Sequence, residues 1–551
     1  MHFKKLLFIS LSAALILTGC GDKKEVDSQL TKSITEDIDL NKTIGALGEI
    51  YSPSEISVEG YGIVAGLNGK GSSECPPKLR EYLTKYIQQM LGNANRYEAL
   101  QFLNSTDSAV VHIYGRIPAG ATTGSKFDLA VEALSTTQTT SLSGGVLYTS
   151  DLTASSRLGV SGAKKLAIGK GAVFIDWNED DNTDERKGLI IGGGIAYETS
   201  KMYIELNDAN YKLSGIIRNR INERFGEKTA KARSSEIISL SPPERYAGQH
   251  KKFSSLVSAI YLPETNDSLD KRIEALTEAL KAPEDKIGAE MGLEAIGRMS
   301  LRSLRPLLDD EKEEIRLRAA RCMLNIGYEK AINTLIQIAY NADSQKRIEA
   351  VEAIRNAPVS KEALSPLRRL LSDADSEVRL AAYEILRDNG DMSISRQMTM
   401  AGFTINTVIS KGNPLVYVYR QDRPQIVLFG NDIKVQAPLF VKNTATDVTI
   451  NAASEGGPIT LMRQNPTKPG IIGPLESSDK LTDIIFKLTD NIQNLKRDRS
   501  GLGVDYSGTA VIIKELADSG NLNAEFKASP IKEIKQKSPS GLPGKITENK
   551  N

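Results

Sequence analysis

The stretches Glu290-Met-Gly-Leu-Glu-Ala-Ile296, Arg318-Ala-Ala-Arg-Cys-Met-Leu324, Glu349-Ala-Val-Glu-Ala-Ile354 and Leu380-Ala-Ala-Tyr-Glu-Ile-Leu386 can be laid over one another. Aligning Gly292, Ala319, Ala350 and Ala381 gives spacings of 27, 31 and 31 residues. A regular period of this length marks stacked helical pairs that share one continuous core. Small residues at the aligned position let paired helices approach. Glycine is sparse from 269 to 389, where Leu, Ala, Glu and Arg recur at helical period, so the segment is expected to be all helical. Cys322 falls on the inner face of the second repeat.

The last unit is the clearest. Leu364-Ser-Pro-Leu-Arg-Arg-Leu-Leu371, then Asp373 and Val378-Arg379-Leu-Ala-Ala382, resembles a HEAT-like repeat, with Pro366 fitting the first turn of a helix. The match speaks to architecture and not to function.

On either side the texture is different. From Ile44 to Leu262, short alternating runs and glycine-rich turns predict strands at Val110–Tyr114, Phe127–Val131, Val146–Tyr148 and Met202–Leu206. Helical spacing covers Tyr211–Arg224. After Met398, strands are expected at Leu415–Tyr419, Gln425–Phe429 and Asp432–Val435, followed by helices over Asp479–Asp490 and Gly508–Asp518. The expected fold is therefore α+β, a mixed α/β body interrupted by an all-α helical-repeat solenoid.

The N-terminus reads in three pieces: Lys4 and Lys5, an apolar run from Leu6 to Leu17, and Leu17-Thr-Gly-Cys20. The run is too short to span a bilayer as a mature helix and reads as a cleaved signal. Its ending resembles the bacterial lipobox, which implies lipidation of Cys20 and attachment to a membrane. Gly21 in place of Asp favours the inner leaflet of the outer membrane, by resemblance to the sorting rule of enteric bacteria. Residues 1–19 are thus the expected signal peptide and 20–43 a polar tether. As a coil the tether's ends lie about 25 Å apart, and about 70–80 Å when extended. The further divisions expected are 44–264, the repeats over 265–397, a second α+β part over 398–526, and a disordered tail over 527–551.

Charge and reactive residues exclude several functions. With 70 basic and 69 acidic residues there is no electrostatic footprint for nucleic acid. The histidines are His2, His112 and His250, and apart from Cys20 the cysteines are Cys75 and Cys322. Such a set makes no familiar zinc site and no Ser-His-Asp triad. The two inner cysteines could pair in an oxidising compartment, but the helical setting of Cys322 favours free thiols. Gly69-Lys-Gly-Ser72 lacks the earlier glycine of a phosphate loop, where Val64 stands. Gly60-Tyr-Gly62 begins a dinucleotide pattern without completing it. Ser161-Gly-Ala-Lys164 has no companion acyl-enzyme motif. Asp176, Asn178, Asp180 and Asn182 alternate as calcium ligands would, yet Asp181 and Lys187 replace the glycine and glutamate such a loop needs. A solvated hairpin tip accounts for the same residues. No enzyme activity, metal or cofactor is expected.

Glu59-Gly-Tyr-Gly-Ile-Val-Ala-Gly-Leu-Asn-Gly-Lys-Gly71 resembles the N-terminal signature of the flagellar P-ring protein family. Ser141-Leu-Ser-Gly-Gly-Val-Leu147, Tyr203–Leu206, Ile221–Gly226, Thr229-Ala230 and Pro242–Arg245 follow in the family's order. Beyond the repeats, Val416–Val418, Ile426–Leu428, Leu502–Val504, Ile512–Leu516 and Asn521–Phe526 continue it. The resemblance implies a homo-oligomeric ring around the flagellar rod, in the periplasm within the peptidoglycan layer, next to the L-ring. It assigns Gly60, Tyr61, Gly62 and Gly66 to one structural turn and Gly144 and Gly145 to a second. Two features depart from the family: the lipid signal and the repeat block. An envelope lipoprotein that binds other proteins through its repeats, without flagella, is the alternative.

Overall fold

The computed structural model describes residues 41–90, 96–155, 163–177, 184–197, 201–282, 286–466, 469–492, 500–531 and 534. The signal, Cys20 and nearly all of the tether and tail lie outside them. The fold is α+β, as expected.

The N-terminal part is built on two sheets. Strand β1 (Gly48–Tyr51) is followed by β2 (Ile56–Ala65), then helices α1 (Pro77–Met90) and α2 (Arg96–Leu103). Next come β3 (Ser108–Ile117), β4 (Lys126–Ala133), β5 (Val146–Ala154), β6 (Lys165–Ala172) and β7 (Lys187–Ala196). Strands β2-β3-β4-β7-β6-β5 close into a six-stranded barrel. Alternation sends Val58 and Val64 of β2, Val111 and Ile113 of β3, and Phe127 and Leu129 of β4 into the barrel core. The opposite phase puts Ile63 and Val110 outside, where Leu83, Ile87 and Leu103 of α1 and α2 cover them.

Strand β8 (Met202–Leu206), α3 (Tyr211–Phe225), β9 (Ala230–Ala232), β10 (Ile237–Leu240) and α4 (His250–Ala259) complete this part. The second sheet has the order β9-β10-β8-β1, and α3 and α4 pack on one face of it. Asn210 caps α3, its side chain accepting from the backbone N–H of Lys212 and Leu213.

The repeats run as helical pairs. The second helix of each pair is α6 (Lys286–Ile296, after α5, Asn266–Lys281), α7 (Glu313–Ile326), α9 (Arg347–Arg355, after α8, Ile332–Tyr340) and α10 (Ser376–Asp388). Ala319, Ala350 and Ala381 are buried in the core, and Gly292 has a Leu276 methyl 2.9 Å from where its Cβ would be. Pro366 does not begin a helix. It lies inside a 3-10 helix, Glu362–Ser372, where it leaves one hydrogen bond of the i→i+3 ladder unmade.

The C-terminal part returns to sheets: β11 (Ile394–Met398), β12 (Thr404–Val408), β13 (Leu415–Val418), β14 (Gln425–Phe429), β15 (Leu439–Asn443), β16 (Val448–Ala452), β17 (Ile459–Gln464) and β18 (Ile471–Ser477). Helices α11 (Leu481–Thr489) and α12 (Tyr506–Asp518) and strand β19 (Glu525–Ala528) end it. One sheet is β11-β12-β14-β13-β19, the other β15-β16-β17-β18. Asp432–Val435 does not form the expected strand. Lys434 bridges Lys480 while Val435 bridges Leu522, so two segments each supply one rung and no ladder extends.

The insertion is packed at both ends. Val427 and Phe429 of β14 join the core of the repeats, whereas Ile426 and Leu428 face α11 and α12. Burial on both faces explains why β14 reads as an unbroken apolar run. At the other end, Ala295 of α6 enters the core beneath α3 and α4. The chain's first described residue sits at that seam. The backbone N–H of Asn41 donates to Leu262 O at 2.7 Å and its side-chain amide to Glu264 at 2.9 Å.

Candidate functional site

The glycine signatures converge on the barrel. Gly60, Tyr61 and Gly62 do not shape a turn; they lie in the middle of β2. Gly60 and Gly62 share the inward phase of Val58 and Val64. A Cβ on Gly62 would overlap the Ser150 hydroxyl and lie 2.8 Å from Ile113 Cδ1 and 3.0 Å from Leu147 Cδ1. A Cβ on Gly60 would overlap the Asp151 carbonyl and lie 3.1 Å from Leu152. Six strands enclose little space, and leucine and isoleucine from the other walls fill it, so the facing positions of β2 are empty of side chain. The pairing of β2 with β5 breaks register between Glu59 and Val64, where these glycines sit.

Tyr61 points outward, its ring 5.3 Å from that of His112, whose Nε2 lies 3.1 Å from the Glu59 carboxylate. Burial, reinforced by Glu59, pushes the Tyr61 phenol above its usual range.

Gly144 and Gly145 lie in a turn closed by the Gly145 N–H on Leu142 O, and Gly66 stands beside it just before the turn at Leu67–Lys70, so the two signatures meet there. Gly66 and Gly144 have φ of +86° and +76°, the left-handed region glycine adopts without strain. Gly145 packs on Val64 and on Leu67, whose Cδ2 would be 2.6 Å from an added Cβ. Most amides of the loop after Gly66 are already engaged within the fold. The N–H groups of Leu67, Lys70, Gly71 and Ser72 donate to backbone carbonyls, and that of Asn68 donates to the Asp107 carboxylate. Beside this end of the barrel is an open groove of about 840 Å³, bordered by Gly66, Phe102, Lys126, Tyr148, Lys170 and Gly193. Its lining carries Asp107, Lys126, Lys170 and the aromatic surface of Phe102 and Tyr148, and no histidine.

Of the calcium-like run, only Asp176 lies among the described residues. Asp176 is 3.1 Å from the Arg420 guanidinium, which also lies over the Trp177 ring. Burial raises the Asp176 pKa and Arg420 opposes that shift. A carboxylate committed to arginine across two parts of the fold is a structural link. Asn178, Asp180 and Asn182 lie outside the described residues. Among the described residues no group of three or more His, Cys, Asp or Glu side chains could hold a metal ion. Cys75 and Cys322 are both free thiols, and burial pushes that of Cys322 well up. His250 starts α4 with its ring against Gly120 of the barrel, and burial lowers its pKa.

Residues 44–271 match the flagellar P-ring protein family. HEAT repeats match 273–355 and 332–395. The P-ring protein of Campylobacter lari is 26% identical over 245 residues, 42% of this chain and 66% of that protein. The P-ring protein of Helicobacter pylori (strain 26695) is 26% identical over 215 residues, 38% of this chain and 58% of that protein. That of Methylobacillus flagellatus is 26% identical over 250 residues, 44% and 62% of the two chains. The chain thus spans about three-fifths of the length of the P-ring relatives it matches. The P-ring match contains the barrel, the sheet β9-β10-β8-β1 and all six glycine-signature residues, Gly60 to Gly145.

Two structural contributions are missing from the sequence expectations. The helices α1 and α2 that cover the barrel lie in a polar stretch. The sheet β15-β16-β17-β18 is written in short alternating runs such as Val448-Thr-Ile-Asn-Ala452, a signal that period-two counting would find.

Proposed function

We propose that this chain is a ring-forming structural subunit of the bacterial flagellar basal body, a P-ring-like bushing around the rod in the periplasm and peptidoglycan layer. The match of residues 44–271 to the P-ring family carries the reading. The packing agrees with it: a closed barrel whose glycine signatures serve its core and one end suits a load-bearing part better than a catalyst. In this reading the partners are further copies of the chain, with the rod and L-ring proteins and peptidoglycan as neighbours. Cys20 carries a lipid that holds the subunit to the outer membrane's inner leaflet through the tether. Deleting the gene should abolish motility, and purified basal bodies should contain the chain; motile deletion cells would overturn the reading. Cys20→Ser should move the protein from the membrane to the soluble periplasmic fraction.

The HEAT repeats over 273–395 favour a second reading, an envelope lipoprotein that uses a P-ring-like scaffold to bind other proteins without flagella. Closed rings in negative stain after detergent extraction support the first reading, and monomers bound to a partner support the second.

A further inference from the structure

A closed barrel has no edges, but the three larger open sheets leave two edge strands each. Proteins blunt such edges with short strands, lysine, proline or bulges, because free backbone groups recruit other strands. Four of the six edges are protected in this way. Strand β9 has only three residues and carries Lys231. Strand β15 carries Lys442 and follows Pro438, and β18 contains Pro474 opposite a register break. Strand β19 carries Lys527, whose ammonium is tied to Ser376 at 2.7 Å.

Among the described residues the remaining two are protected only by a single charge each, Glu49 on β1 and Arg396 on β11. Neither β1, Gly-Glu-Ile-Tyr, nor β11, Ile-Ser-Arg-Gln-Met, has a lysine, a proline or a break in register with its single neighbour. Both expose large apolar groups, Tyr51 at 38% and Met398 at 67%, with Met392 and Met400 flanking the latter. Their charges are opposite. Glu49 is exposed on β1 beside its cross-strand neighbour Glu205, and Arg396 is exposed on β11.

We propose that copies of this chain join head to tail by adding β1 of one copy to β11 of the next, with Glu49 facing Arg396. Backbone hydrogen bonds would supply affinity and the charge pair the register. Because the two edges differ, every copy added leaves one of each kind open, a heterologous contact that gives a ring when the rotation between copies closes and a filament when it does not. The inference rests on the ring-subunit reading and names its contact.

The test is a charge swap in the full-length lipidated protein in detergent, followed by sedimentation and negative stain. Wild type should form closed rings. Glu49→Arg and Arg396→Glu should each raise the concentration needed for assembly by about tenfold or more, and the double swap should restore it. Unchanged thermal unfolding and monomer circular dichroism would show that the exposed substitutions leave the fold intact. If wild type forms rings and both single variants do so equally well, this contact is wrong while the ring reading stands. A double variant no better than the singles would also overturn it. Wild type that stays monomeric at every concentration would overturn both.

Discussion

Ser507 and Ile175, 332 residues apart, exchange two buried hydrogen bonds. The Ile175 N–H donates to Ser507 Oγ at 3.1 Å, and the Ser507 hydroxyl donates to Ile175 O at 2.8 Å. Around them Phe174 enters the C-terminal core, Asp176 pairs with Arg420, and Asp128 of β4 accepts from the backbone N–H groups of Gly192 and Asp422. The barrel and the C-terminal sheets are therefore one body, although the whole repeat block separates them in sequence. Ser507→Ala leaves both backbone groups of Ile175 without that partner in a dry site. The expected loss is about 1–3 kcal/mol, read as a lower denaturant midpoint and as faster amide exchange at Phe174–Trp177.

The barrel glycines allow a comparison between two alanine substitutions. Gly62→Ala forces a methyl against Ser150, Ile113 and Leu147 and should cost about 1–3 kcal/mol, the usual penalty of overpacking. Gly215→Ala, in the middle of α3 with nothing within 4 Å of its Cβ, should stabilise by up to about 1 kcal/mol through helix propensity. Thermal denaturation of the two variants beside wild type checks the opposite signs. Equal behaviour would mean that the space around Gly62 is not what excludes a side chain.

These contrasts show how far the sequence could be read. The repeats were legible because one chemical pattern recurs, and Ala319, Ala350 and Ala381 all reach the core. Strands such as β3 and β14 were legible from alternation or continuous apolarity. Closure of the barrel was not, since it depends on pairings such as Val58 with Ala154, which no local pattern encodes. The role of Gly60 and Gly62 was hidden for the same reason. Two glycines in three residues read locally as a turn, and only the opposing Leu147 and Leu152 show that each is a missing side chain in a core. Asp176 stood as a weak calcium candidate because its partner, Arg420, is 244 residues away.

Within the repeats a charged ladder crosses three units. Arg321 Nε is 2.5 Å from one oxygen of Glu290 and Nη2 is 2.6 Å from the other, while Nη1 reaches Glu349 at 2.9 Å. Glu290 is almost wholly buried, so removing its principal partner strands a charge away from water. Arg321→Ala should cost about 3 kcal/mol, moderated by the remaining contact from Arg318. Arg321→Lys should recover only part of it, because an ammonium cannot engage both Glu290 oxygens and Glu349 in one plane. Urea unfolding of the three proteins, followed by helical circular dichroism, gives the order. A lysine variant as stable as wild type would show that charge alone suffices.

Glu294 makes the stability of the same region depend on pH. It has no exposed surface and lies where α6 meets α3 and α4, accepting from the Asn325 amide at 3.0 Å with the Lys252 ammonium 3.8 Å away. Burial raises its pKa above the usual 4.5, and Lys252, Asn325 and Arg224 only partly offset that. A folded pKa above the unfolded one means the folded state favours the protonated acid. Its contribution is therefore fully present below about pH 4.5 and is lost as pH rises through the folded value. Glu294→Gln keeps an acceptor for Asn325 and never ionises. Relative to wild type it should gain stability progressively above pH 4.5, with little difference below. Unfolding free energies of both proteins from pH 4 to 8 measure this directly. A glutamine variant that loses ground as pH rises would show that Lys252 and Arg224 outweigh burial and hold the carboxylate ionised.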